Sequence, residues 1–263
     1  MSERQFTDQM GREISISFPP RRIISLVPSQ TELLFELGLN QEIVGITKFC
    51  IHPQEKFRST VKIGGTKNLN LKMIRELQPD LIIGNKEENE RGQVEELMNE
   101  FPVWMSDINV LSDAVGMINS IGNLTGKLQD AELLSSKILE GFKTLKLSNK
   151  SKQTVAYFIW KDPFMVAGRC TFINDILMRA GYENFTELDR YPELSVEQLQ
   201  NVNPDLVLLS SEPYPFKDVH IDELKIIFPS AKVIVVDGEM FSWYGSRLLH
   251  TPTYLQTIAD VIN

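Results

Sequence analysis

The stretch Lys127–Ser148, KLQDAELLSSKILEGFKTLKLS, decides how the rest of the chain is read. Apolar residues at Leu128, Ala131, Leu134, Ile138, Phe142 and Leu145 recur at the three- and four-residue spacing of a one-faced helix. No proline interrupts it; Gly126 precedes it, and Asn149, Lys150 and Ser151 follow as polar punctuation. Gly141 is its one weak position, costing about 1 kcal/mol relative to alanine in a helix interior. At the α-helical rise such a helix spans roughly 33 Å, about the diameter of a small domain. On each side lies an α/β pattern too complete to be a fragment. The spacing therefore predicts two lobes, 1–126 and 149–263, joined by a rod over 127–148. The alternative is one more crossover helix in a single large sheet.

Working outward toward the N-terminus, residues 6–18 read as a hairpin turning at Met10-Gly11, with Ile14, Ile16 and Phe18 alternating. Ile23–Val27 is a buried strand. A helix follows over Glu32–Leu37, with Ser29 or Thr31 as its cap and Gly38 as its stop. Ile43–Ile46 is a short strand, and 47–70 is a polar, irregular segment of the kind that carries function. Helices over Leu71–Leu77 and Leu111–Leu124 alternate with strands over Leu81–Gly84 and Val103–Met105, a pattern that predicts a parallel sheet covered by helices. Ligands of such sheets sit at the carboxyl ends of the strands, here the loops after Val27, Ile46, Gly84 and Met105.

The other side repeats this design. Strands are expected over Val155–Trp160 and Lys232–Val236, with helices over Phe172–Arg179 and Ser246–Ile262, the last broken early by Pro252. NLKMIRELQPDLIIGNKE (70–87) aligns without gaps on SVEQLQNVNPDLVLLSSE (195–212). Pro79, Asp80 and Leu81 match Pro204, Asp205 and Leu206, and Glu87 matches Glu212. Two similar lobes would then offer one glutamate each at an equivalent loop position on one outer surface.

Composition bounds the class. The 263 residues are 42% hydrophobic and 24% charged with a net charge of -8, an ordinary globular balance with no basic run for nucleic acid. The opening MSERQFTDQMGREISISF has no apolar signal-peptide core, so no signal peptide is expected in this chain. Cys50 and Cys170 stand in no metal-binding spacing; each reads as a small buried thiol or a cleft residue, and their pairing stays open. Ser29 between strand and helix superficially resembles a nucleophile elbow, yet SLVPSQT lacks G-x-S-x-G. The chain also has no G-x-G-x-x-G and no P-loop, so catalysis is not expected.

RIISLVPSQTELLFELGL, GITKFCIHP, GGTKNLNLKMIRELQPDLIIGNKEEN and SWYGSRLL, in this order, resemble the substrate-binding components of ABC importers for cobalamin and iron-siderophores, the cobalamin branch most of all. The resemblance covers nearly the whole chain. It implies two α/β lobes with mostly parallel sheets bridged by one long helix, and a single ligand between them. It implies a monomer that captures a corrinoid, cobalamin, as its transported ligand, needs no cofactor, and delivers to an ABC permease through a glutamate on each lobe. Glu87 and Glu212 are the positions paired by the internal repeat, with Glu88 or Glu90 as substitutes for Glu87. The resemblance also implies a periplasmic or cell-surface location. A cytoplasmic carrier or sensor of the same fold stays open, as do haem and a ferric siderophore as ligands.

A corrinoid site needs aromatic walls and a few placed polar groups. The loops at strand ends offer Phe49, Cys50 and His52, then Thr66, Lys67 and Asn68, then Asn85 and Lys86. From the second lobe come Trp160 and the run Trp243, Tyr244 and Arg247. Trp104, within a strand, reads as core. His52 is a candidate axial ligand for cobalt or haem iron, although a lone histidine more often hydrogen-bonds; His220 and His250 look scattered and unrelated. Lys48, Lys67, Lys86 and Arg247 are the cations an anionic chelate would want.

Overall fold

The structure is a computed structural model that describes residues 2–145 and 153–262. It divides into two compact units: residues 1–108, 112–139 and 244–247 form the first, and 109–111, 140–243 and 248–263 the second.

The first unit begins with an antiparallel hairpin, β1 (Ser2–Thr7) and β2 (Glu13–Phe18), which starts four residues before the expected one. Asp8 locks its turn: the carboxylate accepts the Met10 and Arg12 amides, both at 2.9 Å, and pairs with the Arg12 guanidinium at 2.5 Å. Then come β3 (Ile23–Ser25), α1 (Pro28–Glu36), β4 (Ile43–Ile46), α2 (Gln54–Ser59) and the short strands β5 (Val61–Lys62), β6 (Gly64–Gly65) and β7 (Asn68–Leu69). α3 (Leu71–Leu77), β8 (Leu81–Asn85), α4 (Arg91–Met98), β9 (Val103–Ser106) and α5 (Leu111–Thr125) complete the alternation. The sheet is wholly parallel in the order β5-β4-β3-β8-β9. Its strands are continuously apolar because both faces are covered, and Ile23, Ile24, Leu81, Ile82, Ile83 and Trp104 are fully buried.

Two local expectations need correction. The segment 47–70 is not irregular throughout: Pro53 fixes an extended backbone ahead of α2, and Gly64-Gly65 pairs antiparallel with Asn68-Leu69 in a miniature hairpin. Neither Ser29 nor Thr31 caps α1. The helix starts earlier, at Pro28, whose missing amide suits a first turn, and Thr31 Oγ1 instead donates back to the Val27 carbonyl at 2.9 Å.

α6 (Leu128–Thr144) is the helix of the opening stretch, and the division between the units falls within it, after Leu139. Its expected continuation to Ser148 passes into 146–152, outside the described residues. Gly126 at φ +73° turns the chain from α5 into α6, which pack so closely that a Cβ on Gly122 would stand 2.3 Å from the Ala131 methyl. Gly141, a weakness by propensity, admits Pro252, whose ring would lie 3.2 Å from a Cβ there.

The second unit carries β10 (Thr154–Trp160), β11 (Phe164–Val166), α7 (Phe172–Arg179), β12 (Glu183–Asn184), β13 (Glu193–Leu194), α8 (Val196–Gln200), β14 (Leu206–Ser210), α9 (Asp218–Ile227), β15 (Lys232–Val236), α10 (Glu239–Ser242) and α11 (Thr251–Ile262). Its sheet is mixed, in the order β13-β11-β10-β14-β15: β10, β14 and β15 run parallel, and β11 and β13 add an antiparallel edge. Phe158, Phe164, Leu199, Leu209, Leu224 and Phe228 form its core, each worth about 1.5–3 kcal/mol on burial. Pro252 does not break the last helix. It sits in the first turn of α11, where proline is tolerated, after a separate 3-10 turn over Ser246–Leu249.

The aligned segments build the same device twice. Asn70 caps α3 by accepting the Met73 amide, and Ser195 caps α8 by accepting the Gln198 amide. Asp80 then accepts the Arg21 and Arg22 amides at 2.7 and 2.8 Å, where the chain enters β3, and Asp205 accepts the Thr154 amide at 2.8 Å, at the start of β10. In each unit the aspartate of the PDL triplet bolts one parallel strand to the beginning of its neighbour.

Candidate functional site

The carboxyl ends of β3, β4, β8 and β9 meet over a buried polar network. Ser106 Oγ accepts Gln30 Nε2 at 2.6 Å and Asn85 Nδ2 at 3.0 Å, and donates to the Gly84 carbonyl at 3.2 Å. Asn85 Oδ1 accepts the Glu87 and Glu88 amides at 2.8 and 3.0 Å, while Asn89 Oδ1 accepts the Asn85 amide at 2.9 Å. Asn89 Nδ2 reaches the Leu26 and Thr66 carbonyls, so a single side chain ties three rim loops together. Asn85, expected to face a ligand, is therefore a buried loop organiser. Cys50 is buried as well: Thr31 Oγ1 donates to its sulfur at 3.1 Å, Thr47 Oγ1 lies equally near, and burial pushes the thiol's pKa up. Both cysteines are free thiols, Cys50 buried and Cys170 exposed.

Above this network stand the groups that can meet a ligand. Phe49 is 50% exposed, with Lys48 Nζ 5.0 Å from its ring centre, and Ile51 is exposed beside it. His52 and Thr66 are half-buried, and Lys67 and Asn68 are exposed. Lys67 Nζ donates to the Glu87 carbonyl and, at 3.3 Å, to that of Asn89. Lys86 pairs with Asp107 at 2.6 Å. Among the acids, Glu90 is occupied as the cap of α4: it accepts the Gly92 and Gln93 amides, which hold its carboxyl below the usual range. Glu87 and Glu88 stay half-buried at the rim.

In the second unit, Trp160 ends β10 and is 41% exposed, its indole edge-on to Tyr214 with centroids 5.6 Å apart. Glu212 does not stand outward as the repeat suggested. Its Oε1 accepts Trp243 Nε1 at 2.8 Å and Ser242 Oγ at 2.9 Å. Burial, reinforced by Glu239 and Asp237, raises its pKa against the lowering effect of those two donors. Trp243 is accordingly buried and committed to Glu212 rather than to a ligand surface. The turn itself is conserved between the copies: the Glu212 amide contacts Ser210 Oγ at 3.4 Å, as the Glu87 amide contacts Asn85 Oδ1.

Tyr244 and Arg247 belong to the first unit, to which residues 244–247 return. Tyr244 is buried, and Arg247 forms a two-pronged ion pair with Glu32, Nη2 to Oε1 at 2.5 Å and Nε to Oε2 at 3.1 Å. The exposed candidates thus gather at two rims, Phe49 with Lys67 and Asn68 on the first unit and Trp160 on the second. Asn85, Cys50, Trp243 and Arg247 support structure instead. The sequence reading did not single out Tyr214, in the proline-spaced aromatic run PYPF over 213–216, which packs on Trp160, and it set aside His220, whose Nε2 lies 3.3 Å from the Tyr214 hydroxyl.

A further cavity of about 320 Å³ lies elsewhere on the first unit, lined by the hairpin residues Gln5, Phe6, Thr7 and Glu13 with Trp104, Ser120, Asn123 and Leu124. Among the described residues, no group of three or more His, Cys, Asp or Glu side chains is placed to hold a metal ion, and no helix is long and apolar enough to cross a membrane.

Comparison with known proteins gives consistent results. The sequence profile of the periplasmic binding protein family matches residues 23–225. A vitamin B12-binding protein of Pectobacterium carotovorum subsp. carotovorum (strain PC1) is 23% identical over 238 residues, 88% of this chain and 85% of its own length. Among solved structures, the periplasmic vitamin B12-binding protein BtuF of Vibrio cholerae superposes with a TM-score of 0.80 at 18% identity, covering 94% of this chain and 99% of its own. The apo form of the periplasmic heme-binding protein RhuT of Roseiflexus sp. RS-1 does so at 0.78 and 21% identity, covering 92% and 97%. Their fold is the fold described above, and the profile match extends across both units: the chain belongs to the periplasmic binding protein family.

Proposed function

We propose that this protein captures a corrinoid with the loops at the carboxyl ends of its parallel strands and, as a monomer outside the cytoplasm, hands it to an ABC permease. The observation that carries the reading is the pair of exposed aromatics, Phe49 and Trp160, one at the strand-end rim of each unit. Flat macrocycles are bound by such aromatic faces. The vitamin B12-binding relative supports the corrinoid, and the heme-binding structure supports ferric haem as the second reading. A ferric siderophore fits less well: of the four cations such an anion would use, Lys86 and Arg247 are already neutralised by Asp107 and Glu32. The role is binding, which is what membership of the periplasmic binding protein family supports.

Thermal unfolding with cyanocobalamin, ferric haem and a ferric siderophore in parallel tests capture. A ligand at a thousandfold excess over its Kd stabilises the fold by about 4 kcal/mol. A shift with cyanocobalamin is expected; a shift with the siderophore alone overturns the ligand, and no shift with any of the three overturns capture.

Delivery is a separate proposal. On the first unit it falls to Glu87 or Glu88, because Glu90 is engaged as a helix cap. The double variant Glu87→Ala/Glu88→Ala should keep ligand binding and reduce uptake by cells. Glu212→Gln, which keeps an acceptor for Trp243, should leave uptake unchanged, whereas Glu212→Ala should cost about 1–3 kcal/mol of stability by orphaning the indole N–H. Normal uptake with the Glu87/Glu88 double variant would sink the assignment.

A further inference from the structure

Thr66 and Lys67 form the two-residue turn between β6 and β7, whose register pairs Gly65 with Asn68. The hairpin is braced on both strands. The Lys48 amide donates to the Gly64 carbonyl at 2.8 Å, and the Leu69 amide donates to Gln93 Oε1, on α4, at 2.7 Å. Phe49 lies against β6, since a Cβ on Gly65 would stand 3.2 Å from Phe49 Cε2. The turn thus holds the exposed cation of Lys67 close to the exposed aromatic of the first unit's rim.

From this turn the Lys67 side chain reaches the loop that follows β8. Its ammonium donates to the Glu87 carbonyl and, at 3.3 Å, to the Asn89 carbonyl. Its charge also adds to the backbone hydrogen bonds that hold the Glu90 carboxyl below the usual range. Asn89 answers in the other direction, its Nδ2 donating to the Thr66 carbonyl at 3.2 Å. Two loops are therefore crosslinked both ways, and the loop so gripped is the one that carries Glu87 and Glu88. An ammonium has three donors. Two are used here, and among the described residues no other protein group accepts the third. A peptide carbonyl offers that ammonium a dipole, whereas an anionic oxygen offers a full opposite charge and a stronger, shorter hydrogen bond. An anion brought in beside Phe49 competes with both carbonyls for the same group.

We propose that Lys67 receives the phosphodiester of the corrinoid's nucleotide tail, and that taking this group loosens its hold on the Glu87 and Asn89 carbonyls. The loaded protein then presents a looser Glu87–Glu88 rim than the empty one. The inference rests on the reading that the strand-end loops capture a corrinoid and that this rim meets the permease; it adds the cargo group recognised and a means of telling loaded from empty. The coupling is reciprocal: whatever factor capture imposes on docking, docking imposes on the cargo's affinity. Lys48, the other exposed cation beside Phe49, donates to no atom of the Glu87–Glu88 loop among the described residues, so the coupling belongs to Lys67.

Hydrogen exchange of the Glu87, Glu88 and Asn89 amides, in the purified protein empty and saturated with cyanocobalamin, tests this. Cyanocobalamin should speed exchange of these amides by about tenfold, the factor that accompanies loss of one hydrogen bond to a charged group. Dicyanocobinamide, a corrinoid without the nucleotide tail and its phosphate, should bind without speeding it. Lys67→Met, at an exposed position, should melt like the wild type, exchange these amides fast even when empty, and show no further change on loading. It should bind cyanocobalamin about tenfold more weakly and dicyanocobinamide as the wild type does. Lys48→Met should keep the exchange response. Unchanged exchange in the saturated wild type, or a response that persists in Lys67→Met, overturns the coupling and leaves capture standing. An equal loss of affinity for both corrinoids in Lys67→Met overturns the phosphodiester assignment. A wild type that binds neither corrinoid refutes capture itself.

Discussion

Arg247→Ala should lower the unfolding free energy by about 3–5 kcal/mol, and Glu32→Ala should do nearly the same. The pair is two-pronged and mostly shielded, the arginine side chain 12% and the glutamate 20% exposed. Removing either partner leaves the other charge in a poorly solvated place, and that uncompensated charge is what makes the effect large. The double variant Glu32→Ala/Arg247→Ala should therefore be little worse than either single one, so the coupling energy in a double-mutant cycle should approach the cost of one single variant, about 3–5 kcal/mol. Denaturant melts of the four proteins measure this. The same series decides between two roles for Arg247. As a structural clamp, its loss lowers stability and leaves the ligand affinity of the folded protein nearly unchanged. As a ligand contact, its loss weakens binding, and Glu32→Ala does not reproduce the effect. Additive single effects would mean that the ion pair carries little energy.

The contrast between Arg247 and the repeat explains what the sequence could reveal. The aligned segments 70–87 and 195–212 are legible because their structure is local or nearly so: a cap three residues from its amide, an apolar stripe, an aspartate before a strand. Asp80 and Asp205 perform one task in two places, and the shared triplet announces it. The parallel strands β3, β4, β8, β9, β10 and β15 were legible as apolar runs covered on two faces, whereas the short strands β5, β11, β12 and β13 were not expected. The fates of Glu212 and Arg247 were not legible. Glu212 turns inward because Trp243, 31 positions away, donates to it. Arg247 is spent on Glu32, 215 positions away. Cys50, read as a buried thiol or a cleft residue, is the buried thiol, and Thr31 on α1 donates to its sulfur. Exposure of a polar side chain depends on such distant partners, whereas the periodicity of an element does not. The candidate site was therefore legible as a set of loops and illegible as a set of side chains.

Gly245 gives the sharpest test of how residues 244–247 are held in the first unit. A Cβ at this position would stand 2.3 Å from the carbonyl oxygen of Ser29 and 3.1 Å from its carbonyl carbon. Those atoms belong to the first turn of α1, and backbone in a helix cannot rotate aside as a side chain can. Relief must come from moving the whole 244–247 segment, which would pull Arg247 from Glu32. The expected cost of Gly245→Ala is about 3 kcal/mol, the upper part of the range for overpacking, and Gly245→Val should cost more. Gly65→Ala is the matched control. Its Cβ would meet Phe49 Cε2, at 3.2 Å, and Lys48 Cε, at 3.5 Å, with the Asn68 carbonyl oxygen at an ordinary contact distance of 3.9 Å. Both obstacles are the outer parts of side chains on an exposed loop, so stability should change by less than about 1 kcal/mol. Ligand capture should respond in the opposite order, because the control displaces Phe49, the aromatic on which the first unit's rim depends, while Gly245→Ala leaves Phe49 where it is. A Gly245→Ala protein that melts like the wild type would mean that the segment is not clamped against α1, and the stabilising role assigned to Arg247 would fall with it.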